Sequence, residues 1–421
     1  MRPRPIVPLA ICTSLLLGCP RDPGGAAPGT TAGGPPAASA APTARASASG
    51  PAASASAIVH QPGTVPPAPS AHKAPGAGPA APAPTFTALA ALDKARALEG
   101  DSFYPRFSAR GATLGVPFAK GLFVADLAKG KGFIVTTGAA PGGFSFSADG
   151  GKLAVSDGSG RTTLWDTVAG TLLRTFPLGG DPVALAPDGS SVAAGGDALA
   201  WWDASSGMEL LHLTELQVFD LAFTDGGKEL VTANSTQVTV YDRAGKQLPG
   251  GGGTDTGATF ATVLSPTGRW VAASAPAGHG MQVLELHAWS ARQLVNVDSC
   301  EEHVWPHFAD SGRLLFAKGG NRWVKAFEVG TFKPYASYHA KVGQDVVAFA
   351  DDLTHVVVTR PGADASLVTV ETKAEIKLEK ALGAEASFTF SADGRYLAGS
   401  AGKVVRVWDA KTGKLLHEIN G

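Results

Sequence analysis

Between positions 102 and 421 short apolar runs alternate with turn residues at a nearly constant spacing. Runs such as VFDLAF, LAVS and YLAGS are four to six residues long, and no 3.6-residue period links them, which is the pattern of β-strands. The pentapeptide FSADG closes one such run at Phe146 and another at Phe390. Relaxed copies begin at Phe107 (FSARG), Leu185 (LAPDG), Phe223 (FTDGG), Leu264 (LSPTG), Phe308 (FADSG) and Phe349 (FADDL), so successive starts differ by 39, 39, 38, 41, 44, 41 and 41 residues. That period is one supersecondary unit repeated. The Asp-Gly or Thr-Gly pair supplies the positive φ that a tight hairpin demands, so the pentapeptide reads as a strand end folding into a turn.

Each unit carries a second landmark, an apolar run ending in an acid 18 to 22 residues after the first: Asp126, Asp166, Asp203, Asp242, Glu285, Glu328, Glu371 and Asp409. In five units a glycine follows within four residues (Gly130, Gly170, Gly207, Gly245, Gly413), and then another apolar stretch such as KLLHEI. Four short strands per forty residues describe a propeller blade. The expected fold is therefore all-β: a β-propeller of four-stranded blades over residues 86–421, eight-bladed because the last unit supplies its own fourth strand. Seven blades is the alternative, since TFTALAALDKARALEG (85–100) reads as a packed helix that displaces a weak first unit. The aromatics before the acid, Trp165, Trp202, Tyr241 and Trp408, are expected to fill the space between sheets. The acids that follow them, Asp166, Asp203, Asp242 and Asp409, are expected to accept hydrogen bonds from the next turn.

VRVWDAKTGKLL (405–416), TTLWDTVAGTLL (162–173) and WWDASSGMELL (201–211) resemble the ends of WD-repeat blades. That resemblance implies a propeller that works as an interaction scaffold. DAKTGKLL also resembles the repeats of quinone-dehydrogenase-like propellers, which include a lipoprotein of the outer-membrane assembly machinery.

Composition changes this picture at the N-terminus. Residues 20–85 hold 15 of the 30 prolines and almost no large apolar side chains, so they cannot bury enough surface to offset their ordering entropy. Residues 19–85 are expected to be a disordered tether. Upstream, Arg2 and Arg4 precede an apolar run from Ile6 to Leu17, too short for a bilayer core of about 30 Å and suited to a signal peptide over 1–18. The LLLGC that ends it resembles the lipobox of bacterial lipoproteins, which implies cleavage before Cys19 and its lipidation. With Pro20 next, the resemblance implies an exported outer-membrane lipoprotein held in the cell envelope by its lipid anchor.

Charge and chemistry narrow the function. Positions 1–85 contain five basic residues and one acidic, leaving 30 Lys and Arg against 35 Asp and Glu, a balance of −5 that disfavours nucleic acid. With Cys12 in the signal and Cys19 lipidated, Cys300 is the one thiol of the globular part, so no internal disulfide is expected. Asp255-Thr256-Gly257 follows four glycines and has no second copy, GSAGK at 399–403 lies in a strand pair and not before a helix, and no G-x-S-x-G occurs. The dense stretch is DSCEEHVWPHF, 298–308. His303 and His307 there lie about 13 Å apart along a strand and cannot share one metal ion.

The innermost strands read as small and apolar (SFSFS, PVALA, ATVLS, VVAFA), with His307 and Asp220 as the titratable exceptions. The expectation is a non-catalytic, monomeric propeller with no metal or cofactor, binding a protein or cell-envelope component. The alternative is a propeller enzyme (lyase, hydrolase or oxidoreductase) with its site in the central pocket. Long loops at 247–258, 275–282 and 298–304 should crowd one sector of one face, making Cys300, Glu301, Glu302, His303 and Trp305 the candidate partner-binding loop.

Overall fold

The computed structural model describes residues 87–88 and 104–420, apart from short segments at 110–111, 138–139, 158, 215–216, 225, 235–236, 254–261, 275–279, 287–292 and 297–303. Cys19, the proposed tether and most of 85–100 therefore lie outside the described residues. Chain contacts separate Met1–Ala80 from Ala81–Gly421, and the second unit is the propeller.

Eight sheets stand in a ring, one per repeat, each built from four strands consecutive in sequence. They are blades 1 to 8, spanning 106–136, 143–176, 183–214, 220–253, 262–296, 304–339, 345–377 and 387–420. The seven-blade alternative is thereby excluded. Blade 8 contributes all four of its own strands, ending in Leu415–Asn420, as its sequence implies. An additional strand, Thr87–Ala88, joins the outer edge of blade 1 with Thr87 opposite Gly132 and Ala88 opposite Lys131.

The core is divided among the gaps between blades. Eight clusters of buried side chains each join a neighbouring pair. One of them closes the ring, packing Phe107, Leu114 and Val116 of blade 1 against Tyr396, Ala398 and Val405 of blade 8. Burial of apolar area, at about 25 cal/mol per Å², thus holds the ring without a shared strand.

In all eight units the first residue of the pentapeptide is the last residue of the innermost strand. The next four residues explain why FSADG recurs. Ser147 donates its hydroxyl to Asp149 Oδ1 (2.7 Å), the same oxygen accepts Gly151 N–H (2.9 Å), and Ser147 Oγ accepts Lys152 N–H (2.9 Å). Ser391 and Asp393 repeat the arrangement with Arg395 N–H and Tyr396 N–H. Gly150 (φ 71°) and Gly394 (φ 66°) take the left-handed conformation that completes each turn.

The two turns differ in their surroundings. A Cβ on Gly150 would come within 2.7 Å of Ser108 Oγ and Thr113 Oγ1 in blade 1, whereas a Cβ on Gly394 meets nothing within 4 Å. Gly394→Ala should cost about 1 kcal/mol through backbone strain alone, and Gly150→Ala about 2 kcal/mol because the neighbouring blade must also shift. Paired urea melts measure both, and equal losses would show that the contact with blade 1 carries no cost.

The second landmark ends the third strand in seven blades; in blade 7 that strand, Ser366–Thr369, stops two residues before Glu371. Trp165, Trp202, Tyr241 and Trp408 are buried in the clusters that join each of their blades to the preceding one. Their acids turn back onto the following turn. Asp166 accepts Val168 and Ala169 N–H (2.8 Å each), and Asp242 accepts Ala244 and Lys246 N–H (2.9 Å each). Asp203 and Asp409 also accept the hydroxyls of Ser205 and Thr412, which with the backbone donors hold both carboxyls below the usual range. Arg243 of blade 4 adds an ion pair to Asp203, so this turn also links neighbouring blades.

The three long loops are shorter than expected: Gly280–Glu285 begins inside 275–282, and Val304–Phe308 begins at the end of 298–304 and places Trp305 in a strand, not a loop. QLPGGGG was expected within a long loop, yet Gln247–Gly253 is the outermost strand of blade 4, with Gln247 opposite Tyr241 and Gly253 opposite Gln237. An outer strand needs backbone donors and acceptors but no side chains against a further strand, so a glycine run suffices. Pro249, which has no N–H, falls in the stretch where the register shifts.

Candidate functional site

The innermost strands enclose a central cavity of about 910 Å³. Its walls include Phe144, Phe146, Phe219 and Phe223 beside Arg106, Asp181, Asp220, Asp310 and Asp393. The sequence assigned titratable groups here only to His307 and Asp220, and that inventory was too short. Arg106 lies on Arg106–Phe107, an innermost strand of only two residues, and Asp345 begins the innermost strand of blade 7. Asp181 stands two residues before Val183–Leu185, and Asp310 is the acid of the FADSG turn. Both are adjacent to strands, where a strand pattern does not register them.

Asp220 ties two blades together. Its Oδ1 accepts Leu221 N–H (2.9 Å) and its Oδ2 accepts Leu264 N–H of blade 5 (3.0 Å). Burial nevertheless raises its pKa to about 6, against the lowering effect of those bonds and of the Arg106 charge. Asp351 plays a similar part between blades 6 and 7, accepting Asp310 N–H (3.0 Å) on one oxygen and Ser311 N–H (2.9 Å) on the other. Burial raises Asp351, and burial together with the Asp351 charge raises Asp310 to about 7.

His307 packs beside Phe316 and edge-on to Phe349, with ring centroids 6.3 and 5.7 Å away. Burial lowers its pKa to about 4, helped by Arg106, so the imidazole is neutral near pH 7. His307 and Asp310 are crowded by the surrounding blades, yet both side chains keep solvent-exposed surface, which softens the burial cost at both. Arg106 itself stands over the Phe144 ring at 5.7 Å from the centroid.

Around the channel, the face where the innermost strands begin carries four exposed large apolar side chains: Tyr104 (73% exposed), Phe219 (60%), Trp305 (48%) and Val342 (99%). Each lies within three residues of the start of an innermost strand. Trp305 belongs to the candidate partner-binding loop and sits at the second position of Val304–Phe308. Cys300, Glu301, Glu302 and His303 lie outside the described residues, in the connection from Gln293–Asn296 of blade 5 to Val304–Phe308 of blade 6. Among the described residues no group of three His, Cys, Asp or Glu is placed to hold a metal ion.

Comparison with known proteins agrees with the architecture. The family of the WD domain, G-beta repeat, matches residues 386–409, the first three strands of blade 8. Among solved structures, the dihydro-heme d1 dehydrogenase NirN in complex with DHE superposes with a TM-score of 0.56 at 18% identity, over 75% of each chain. The C-terminal WD40 domain of Sif2 superposes with a TM-score of 0.53 at 12% identity, over 72% of this chain and 95% of that one. No curated protein matches the chain. The protein is thus an eight-bladed β-propeller, WD-repeat-like in its fold and in the sequence of blade 8.

Proposed function

We propose that the protein is a non-catalytic interaction scaffold whose partner, a protein or another cell-envelope component, docks on the face where the innermost strands begin. The observation that carries this reading is the set Tyr104, Phe219, Trp305 and Val342, four exposed apolar side chains on one face of a WD-repeat-like ring. Distributed over blades 1, 4, 6 and 7, they offer a partner spanning that face several apolar anchors, and covering them releases ordered water. Cys300, Glu301, Glu302 and His303 are included in the proposed contact because in sequence they immediately precede Val304–Phe308, whose Trp305 is one of the four. The LLLGC motif and the proline-rich segment after it support lipidation at Cys19, a tether over 19–85 and an outer-membrane position.

Capture from envelope extracts tests the reading. Phe219→Ser with Trp305→Ser should abolish partner capture while moving the melting temperature by less than about 3 °C, since exposed side chains contribute little to stability. Glu301, Glu302 and His303 changed together to Ala should act likewise. Retained capture in both variants, with loss on Val168→Ser and Met208→Ser at the opposite face, would overturn the assignment. Cys19→Ala should leave soluble precursor in the exported fraction; unchanged membrane association would refute the anchor.

A second reading, an enzyme with its site in the central pocket, draws on the likeness to NirN, a dehydrogenase, and on the 910 Å³ cavity. Against it, both oxygens of Asp220 and both of Asp351 already accept backbone N–H groups that link neighbouring blades, so these carboxylates are occupied in holding the ring.

A further inference from the structure

We propose that the central channel binds a small organic cation, an ammonium or guanidinium group carried on a short apolar body, between the carboxylates of Asp181, Asp220 and Asp310. This goes beyond the docking face, which concerns the rim, and assigns a ligand class to the interior. Three features of the cavity converge on it.

The first is size. About 910 Å³ lies within the range of pockets that enclose a small organic molecule. The second is charge. Four carboxylates, Asp181, Asp220, Asp310 and Asp393, line the cavity against one guanidinium, Arg106. The Arg106 charge acts on Asp181, Asp220, His307 and Asp310 together, and among the described residues lining the cavity it is the one cation, Lys318 lying instead near Asp345. Neutral His307 adds none. Asp310, at the blade 6 turn on the cavity wall, uses its backbone N–H on Asp351, while no described group donates a hydrogen bond to its own carboxylate. The Asp181 carboxylate is likewise without a donor among the described residues. The third feature is the wall. Phe144 and Phe146 meet edge to face at 5.9 Å, and Phe144 already carries the Arg106 cation over its ring, so the aromatic surface accepts a charge with an apolar stem.

An organic cation fits better than a metal ion. The carboxylates come from blades 3, 4, 6 and 8, spread around the axis, and no described group of three converges as metal ligands must. An anion is disfavoured by the excess of carboxylates. A cation arriving among carboxylates whose pKa is raised also displaces their protons, so binding should strengthen with pH as Asp220 and Asp310 ionise. Asp181 and Asp351, raised in the same direction, add to that trend.

Titration calorimetry on the full chain in detergent tests the proposal, with putrescine, a lysine tripeptide blocked at both ends, and succinate as probes. Saturable one-to-one binding of putrescine or of the tripeptide is expected, tighter at pH 8 than at pH 5.5, with proton release visible in buffers of different ionisation enthalpy. Asp310→Asn and Asp181→Asn should each weaken it tenfold or more, and Arg106→Gln should tighten it by relieving repulsion. Preference for the tripeptide would identify the cation as a protein side chain, and preference for putrescine a free amine. The proposal is overturned if neither cation saturates the wild type, if both Asp variants bind as well as wild type, or if succinate binds and is lost in Arg106→Gln. Melting temperatures of the variants within a few degrees of wild type certify that each is folded.

Discussion

Trp408→Ala should destabilise the propeller by about 4 kcal/mol, the largest single-residue loss expected in the chain. Trp408 has no exposed surface, and its ring lies among Leu367, Leu378, Phe390 and Leu397 in the gap between blades 7 and 8. Truncation therefore opens a cavity at an interface, where the flanking sheets cannot collapse without disturbing the next blade. The indole N–H also donates to the carbonyl of Glu379 (2.7 Å), a bond from blade 8 to the segment leaving blade 7. Trp201 of blade 3 separates the two effects. It is equally buried and lies edge-on to Phe223 at 5.6 Å, but its indole N–H has no partner among the described residues. Trp408→Phe should thus cost about 1 kcal/mol more than Trp201→Phe, because only the former orphans an acceptor. Urea midpoints of the three variants decide the matter; equal costs for the two Phe variants would mean that the Glu379 bond contributes nothing.

What could be read from the chain beforehand was whatever is decided locally. A turn needs particular backbone angles, and FSADG supplies them through Ser147, Asp149 and Gly150 within five residues, so the blade count and the ends of the innermost strands were legible. The aromatic-acid pair was legible for the same reason, since Asp166 and Asp242 find their donors within four residues. Features held by the backbone alone were not. The glycine-rich strand Gln247–Gly253 and the two-residue strand Thr87–Ala88 pair through the main chain, with no apolar alternation to announce them. The interior charge was hidden by a different cause. Whether Arg106, Asp181 or Asp310 faces the axis depends on how eight sheets close; Arg106 and Asp181 sit in or beside strands of two and three residues, and Asp310 lies beyond the end of its strand.

The pH dependence of stability should be nearly flat in the wild type between pH 7.5 and 5, and should tilt in opposite directions in two variants. Asp310 has a folded pKa of about 7 against an ordinary 3.8, so below pH 7 the folded state binds a proton that the unfolded state does not. Its penalty, present at neutral pH, is therefore relieved as pH falls towards 4. Asp220, raised to about 6, acts in the same direction. His307 opposes them, and so do His339 and His355, whose pKa values burial also lowers. The folded pKa of His307, about 4, lies below the ordinary 6.5, so its neutral burial contributes no penalty above pH 6.5 and becomes costly as the unfolded state takes up the proton between 6.5 and 4. Because His307 and Asp310 keep solvent-exposed surface, each effect is reduced to about 1 kcal/mol over this window. Asp203 and Asp409, whose carboxyls are held low by Ser205 and Thr412, lose their contribution only below the ordinary carboxylate range and stay outside it. Asp310→Asn leaves the His307 term exposed, so this variant should be more stable than wild type at pH 7.5 and lose that advantage by pH 5. His307→Gln leaves the carboxylates exposed and should gain stability relative to wild type on the same acidification. Urea midpoints at pH 7.5, 6.5, 5.5 and 5 measure the slopes, and parallel profiles for the two variants would show that neither group changes its proton occupancy on folding.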